Sequence, residues 1–238
     1  MNKDWQKLIN SHPEEKRNWD STYPWIYYVA RPISFPISWL FYKMGISANH
    51  VTIFTAILGI ASVPLLASGE TAEMAMGASC LLFYTVFDCV DGDMARAWPS
   101  LGSPAGQYWG ELVGNFYLLA YFSLGLGLRQ PLWIAVGAGI TIEKFLAVRI
   151  RDNFWDTLGN LWEASKKISG YQPHTGKWYY RIYWNLVDPQ GHVFLLPVII
   201  ALGWTKIFLA ISALIAAGEL IFVLALCLCR AQKIGSGK

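Results

Sequence analysis

The sequence predicts an all-α integral membrane protein: a bundle of six transmembrane helices preceded by an amphipathic interfacial segment. Three observations predict it. Of 238 residues, 54% are hydrophobic and only 15% charged, where soluble domains carry roughly 25% charged residues. Several apolar runs reach the length of about 18 residues needed to cross a bilayer. Lys and Arg are also unevenly placed. Both ends and alternate connections carry Lys3, Lys7, Lys16, Arg17, Arg31, Lys43, Arg96, Arg149, Arg151 and the later basic residues, and the other connections carry only Arg129 and Lys206. Positive residues stay in the cytosol, so both termini are expected there. A multi-pass protein of a bacterial-type inner membrane fits this pattern.

The elements follow in order. Residues 1–47 form a polar and aromatic arm, a cytosolic segment or a helix lying on the membrane surface. Its first part scatters Trp5, Leu8, Ile9 and Trp19 among Lys and Glu, and no cleavable signal peptide is visible there. Pro32 and Pro36 are expected to break any long helix, leaving a short interfacial helix over 36–44. Ser47 opens the membrane domain, 48–230, with a polar cap. His50 has no evident partner and reads as an interfacial histidine. The spans are expected at 50–67, with Pro64 as a kink, then 72–96, 104–126, 132–149, 189–203 and 206–229. A polar and aromatic cytosolic connection occupies 152–188, and a cytosolic tail 231–238. Cys80, Cys89, Cys227 and Cys229 lack CxxC spacing and read as buried thiols.

The second span ends in Phe87-Asp88-Cys89-Val90-Asp91-Gly92-Asp93-Met94-Ala95-Arg96. Carboxylates at the end of a membrane helix are costly to desolvate, so they face a cavity or an ion. On a helix, Asp88, Asp91, Gly92 and Ala95 share one face, and Asp93 points away. Two carboxylates one turn apart suit a hard divalent cation, Mg²⁺ or Mn²⁺, which also takes substrate phosphates. Gly92 leaves room for a group to approach the backbone. Arg96 is a planar fork suited to phosphate.

Asp88-x-x-Asp91-Gly92-x-x-Ala95-Arg96 resembles the first half of the signature of the CDP-alcohol phosphotransferases. The second half of that signature is a Gly followed four and eight residues later by Asp. Gly106 stands there one residue late, and both expected carboxylates are glycine, Gly110 and Gly114. Asn49 and Thr52 resemble the Pro-Asn-x-x-Thr start of the family's first membrane helix, with Ala48 in place of Pro. The resemblance implies a six-span enzyme of phospholipid-type biosynthesis, often a homodimer. It would transfer a phosphate-linked group from a CDP-linked donor to an alcohol acceptor among membrane lipids, and release CMP. It implies Asp88 and Asp91 as metal ligands. Thr52, Gly92, Ala95, Arg96 and Gly106 would meet the CDP moiety.

Other features are weighed beside these. Glu111 is the one carboxylate near the two replaced positions and is the candidate base. Gly102, Gly106, Gly110 and Gly114 read as a ridge for close helix packing, one that also widens a cavity. Glu143 or Glu219 is expected to pair with Lys144 inside the bundle, with acceptor binding as the alternative. Lys166, Lys167, Lys177 and Arg181 suit lipid headgroups. The Gly235-Ser236-Gly237-Lys238 tail lacks the strand and helix of a phosphate-binding loop. No nucleic-acid module is visible, and no inverted repeat suggests a transporter. A catalytically reduced relative, binding nucleotide or lipid as a partner subunit, is the second reading.

Overall fold

The computed structural model describes residues 3–169 and 178–236, apart from the side chains at 15, 163–169, 179, 180, 235 and 236. Every regular element among them is helical. Lys166, Lys167, Lys177 and the tail's last residues fall outside the described side chains, and Arg181 is exposed.

The centre is a helical hairpin, α4 (Ala48–Ala67) and α5 (Thr71–Ala97). Ser47 caps α4 by accepting from the His50 N–H, and its hydroxyl also meets His50 Nδ1 at 2.8 Å. His50 therefore has a partner after all. Gly69 turns the hairpin at φ 79°, and a β-carbon there would stand 2.5 Å from the Gly127 carbonyl oxygen. Only glycine fits both conditions. The 27 residues of α5 span roughly 40 Å at 1.5 Å per residue, longer than the ~30 Å hydrocarbon core. Its last turns, which carry the acidic motif, are thus long enough to reach the headgroup zone.

The third predicted span is broken. α6 (Pro104–Val113) stops at Gly114 and Asn115, a 3₁₀ turn covers Phe116–Leu118, and α7 (Leu119–Gly127) resumes. Gly and Asn are weak helix formers, and a break inside a membrane strands backbone carbonyls. The fold answers both ends of it. The Tyr84 hydroxyl donates to Val113 O at 2.5 Å, and Thr141 Oγ1 donates to Leu118 O at 3.1 Å.

Then come α8 (Pro131–Ser169), α9 (Trp178–Val187), α10 (Pro189–Ala201) and α11 (Thr205–Ser236). α8 runs well past Arg149, so much of the expected connection is helix. Asp188 caps α10 by accepting from the Gln190 and Gly191 N–H groups. Among the described residues, α4, α5, α8 and α11 are long and apolar enough to cross a membrane, and α10 is a shorter apolar helix. The six expected spans thus appear as four full-length helices, one short helix and a broken pair. Ile53, Ile57 and Ile60 on α4, and Leu214 and Ile221 on α11, are exposed large apolar side chains, as a lipid-facing surface requires.

The predicted ion pair forms between α8 and α11. Lys144 is 2% exposed, and its Nζ donates to Glu219 Oε2 at 2.5 Å and to Val187 O at 2.6 Å. Glu143 is only half-buried.

The arm departs from expectation. It folds onto the protein as α1 (Lys3–Asn10), α2 (Glu14–Asp20), a π-helical turn at Ile26–Ala30 and α3 (Arg31–Lys43). Pro32 is the second residue of α3, directly after the wider π-helical turn, and the helix continues through Pro36. Leu8 is fully buried, in a cluster with Val86, Val90, Met94 and Trp98, and Lys43 pairs with Asp4 at 2.6 Å. Its apolar side is therefore spent on α3 and α5. All four cysteines are unpaired; Cys89 is buried, Cys80 and Cys227 are half-buried and, against expectation, Cys229 is exposed.

Two stability outcomes follow from these buried partners. Tyr84→Phe leaves the Val113 carbonyl unsatisfied and should cost about 1–3 kcal/mol. Glu219→Leu strands the Lys144 charge and should cost about 3–5 kcal/mol, most of it recovered when Lys144→Met is added. Thermal unfolding in detergent, followed by tryptophan fluorescence, checks both.

Candidate substrate and cation site

A cavity of about 550 Å³ opens where α4, α5 and α6 converge. The N-terminal turns of α4 supply Asn49 and Thr52, and the last turns of α5 supply Asp91, Gly92, Ala95 and Arg96. The start of α6 supplies Ser103, Gly106, Gln107 and Gly110. Two helix N-termini and one C-terminus therefore meet here. Polar side chains at these ends are what the segments bring, because caps and boundary residues collect there.

The sequence-predicted residues largely come together. Thr52, Asp91, Gly92, Ala95, Arg96 and Gly106 all line the cavity. Thr52 Oγ1 donates to Asp91 Oδ2 at 2.7 Å, which ties α4 to α5 across the site. Asp88 lies one turn earlier on α5 and does not line the cavity; no described side chain hydrogen-bonds to it. Glu111, the expected base, is placed elsewhere. It is exposed, off the cavity, and reached only by Gln107 Nε2 at 3.5 Å. The reason is helical geometry: one residue past Gly110 turns the side chain about 100° away.

Asn49, Ser103 and Gln107 were not singled out as site residues. Asn49 Nδ2 donates to Ser103 Oγ at 2.9 Å, and the same hydroxyl accepts the Gly106 N–H at 3.0 Å as the cap of α6. The cap signal at Ser103 is readable from the chain, but its pairing with Asn49 across 54 residues is not.

The four glycines from 102 to 114 do not form one smooth ridge. A β-carbon on Gly106 would stand 1.9 Å from Asn49 Oδ1, so this position must be bare for Asn49 to sit against α6. Gly110 faces open space, with nothing within 4 Å of an added β-carbon. Gly114 ends α6, and a β-carbon there would stand 3.0 Å from the Gly110 carbonyl oxygen. The two positions where the family signature has Asp are therefore unlike each other: one has room to spare and the other is tight.

Asp93 points away from the cavity, as the helical period predicts, and is fully buried. Its Oδ1 accepts from Arg31 at 2.5 Å and Arg96 at 2.8 Å, and lies 3.1 Å from His12 Nε2. Its Oδ2 accepts from Ser34 at 2.7 Å. Arg31 Nε also donates to Asp20 at 2.7 Å. Burial opposes the Arg31 charge, yet the flanking acidic groups, Asp93 and Asp20 among them, hold the guanidinium above its ordinary value.

The donor set limits the metal chemistry. Among the described residues no three His, Cys, Asp or Glu side chains gather into a cluster able to hold a metal. Asp88 and Asp91 alone suit one hard cation of the Mg²⁺ type, which takes one or two carboxylates and fills its shell with water and phosphate oxygen. A pair of ions held by four carboxylates does not fit this chain.

No curated protein sequence matches the chain. The family model for CDP-alcohol phosphatidyltransferase matches residues 45–169, from the turn before α4 to the end of α8. That stretch contains every residue lining the cavity and more than half of the chain. With Asp91, Gly92, Ala95 and Arg96 of the acidic motif, the cap of α6 and the start of α4 all inside the match and all lining one cavity, the chain belongs to the CDP-alcohol phosphatidyltransferase family.

Proposed function

We propose that this protein is a membrane phosphotransferase that moves a phosphate-linked group from a CDP-linked donor to an alcohol acceptor and releases CMP. The observation that carries the reading is the convergence of Asn49, Thr52, Asp91 and Arg96 on one cavity, within the stretch matched to the family. The acceptor hydroxyl attacks the donor phosphorus next to CMP. A new P–O bond forms, the diphosphate P–O bond breaks, and CMP leaves with the electron pair. Asp88 and Asp91 would hold the divalent cation, which when bound neutralises phosphate charge. Arg96 meets a phosphate as a fixed fork. Asn49 and Gln107 offer neutral hydrogen bonds at the rim of α6, and the bare backbone at Gly92 lets a substrate group lie close.

Gly110 and Gly114 supply no carboxylate, so the hydroxyl proton leaves to water or to a phosphate oxygen. General base catalysis typically contributes about 10²- to 10⁴-fold, so its loss slows turnover without forbidding it. The cavity opens on the side the basic residues mark as cytosolic, where CDP-linked molecules are available. A second reading, a non-catalytic relative that binds nucleotide or lipid, is favoured by the same missing carboxylates.

CMP release by purified protein, supplied with CDP-linked donors and a panel of alcohols, separates the two readings. Metal-dependent release is expected, and binding of CDP without release under any combination supports the second. Asp91→Asn should abolish release and its dependence on Mg²⁺; normal turnover in that variant would remove the site assignment. Gly110→Asp fits its open position and should tighten the apparent Mg²⁺ affinity. Gly114→Asp meets the Gly110 carbonyl and should instead lower the unfolding temperature.

A further inference from the structure

The arm lies outside the stretch matched to the family, yet it holds one of that stretch's most buried charges. Asp93 and Asp91 are two residues apart on α5, so they leave the helix about 200° apart. One faces the cavity and the other faces the arm. A buried carboxylate is tolerated only when donors surround it. Two of the three hydrogen-bond donors to Asp93, Arg31 and Ser34, come from residues preceding the family match, and His12 of the same arm lies 3.1 Å from the carboxylate. The third is Arg96, which also lines the cavity and meets His12 Nε2 at 3.3 Å.

We infer that the N-terminal arm is a working part of the substrate site, and that His12, by direct contact, and Arg31, through Asp93, are positioning residues for Arg96. The inference rests on the phosphate-binding role given to Arg96 above and assigns what orients it. Geometry and charge both support it.

The Arg96 guanidinium is held by Asp93 and His12 and folds back over the bare backbone of Gly92. One terminal nitrogen donates to Asp93 and lies 3.3 Å from His12 Nε2. The other lies over Gly92, 3.0 Å from where a β-carbon would be. A freely moving arginine side chain loses rotamer entropy when a ligand fixes it. An arginine already held over the cavity floor has lost that freedom before the substrate arrives.

The charges alternate along a chain: Lys16, Asp20, Arg31, Asp93, Arg96. Lys16 meets Asp20 at 3.0 Å, Asp20 meets Arg31 at 2.7 Å, Arg31 meets Asp93 at 2.5 Å and Asp93 meets Arg96 at 2.8 Å. Three cations and two anions leave one positive charge over. Arg31 satisfies the Asp93 charge, so Arg96 is steered by that carboxylate while the chain as a whole still presents a positive end to the cavity. His12 presses on the same oxygen from the arm. The arm itself is anchored by the buried Leu8 and by the Lys43–Asp4 pair, so it is built to stay closed over the motif.

The test is a double-mutant cycle on CDP binding by the full-length purified protein at fixed Mg²⁺, read by calorimetry. His12→Ala should weaken CDP binding about tenfold, the scale of one hydrogen bond to a charged group. His12→Gln keeps an acceptor for the Arg96 N–H and should recover most of the loss. In an Arg96→Ala background, His12→Ala should have no further effect, because the residue it positions is gone. Equal and additive losses in the two backgrounds, or no loss at all, would overturn the inference. Should His12→Ala fail to fold, Ser34→Ala removes another Asp93 donor and must show the same non-additivity with Arg96→Ala. A wild-type chain that does not bind CDP would instead overturn the phosphotransferase reading, and the inference with it.

Discussion

Taking a carboxylate out of water costs several kcal/mol unless cations or donors replace the lost hydration. α5 carries three carboxylates among its last ten residues, at the end of an otherwise apolar membrane helix. Each must be compensated, and the compensation organises what surrounds them. Asp93 draws in the arm, through His12, Arg31 and Ser34. Asp91 draws in α4, through Thr52. Asp88 is half-buried, has no hydrogen-bonded side chain among the described residues, and feels the nearby charges of Arg31, Lys16 and Arg96. Three acids within two helical turns therefore have three different fates, set by the direction in which each leaves the helix.

The third helix supplies the other wall of the cavity. Its break at Gly114 and Asn115 would be untenable in lipid without replacement hydrogen bonds, and Tyr84 and Thr141 provide them from neighbouring helices. The positions where the family signature calls for acids lie beside that break, at Gly110 and Gly114. One opens on the cavity and one abuts a backbone carbonyl. Replacing acid by glycine there has different physical consequences at the two sites: unused room at the first, and a close approach to the Gly110 carbonyl at the helix end at the second.

Away from the site, a buried ion pair ties the bundle together. Lys144 and Glu219 join α8 to α11, and the same ammonium holds the Val187 carbonyl at the end of α9. The pair borders a second polar cavity lined also by Asn115, Arg151 and Asp188. Its charges balance among themselves, Lys144 and Arg151 against Asp188 and Glu219.

Composition and helical period were enough to place the four long membrane helices, the cap at Ser47, the shared face of Asp91, Gly92 and Ala95, and the opposite direction of Asp93. These are local properties: an apolar run must be buried or face lipid, and a 3.6-residue turn sets which side chains align. The family resemblance added Thr52 and Gly106, and the structure brings both to the cavity. Tertiary structure decided what depends on distant partners. Asn49 finds Ser103, His12 finds Asp93, and Leu8 leaves the membrane surface for the protein interior, because each is satisfied only by a group many residues away. Sequence pattern also carried the third helix as continuous and Glu111 toward the site. Both readings changed because helix continuity and side-chain direction at a glycine-rich stretch are set by what packs against it, not by the stretch alone.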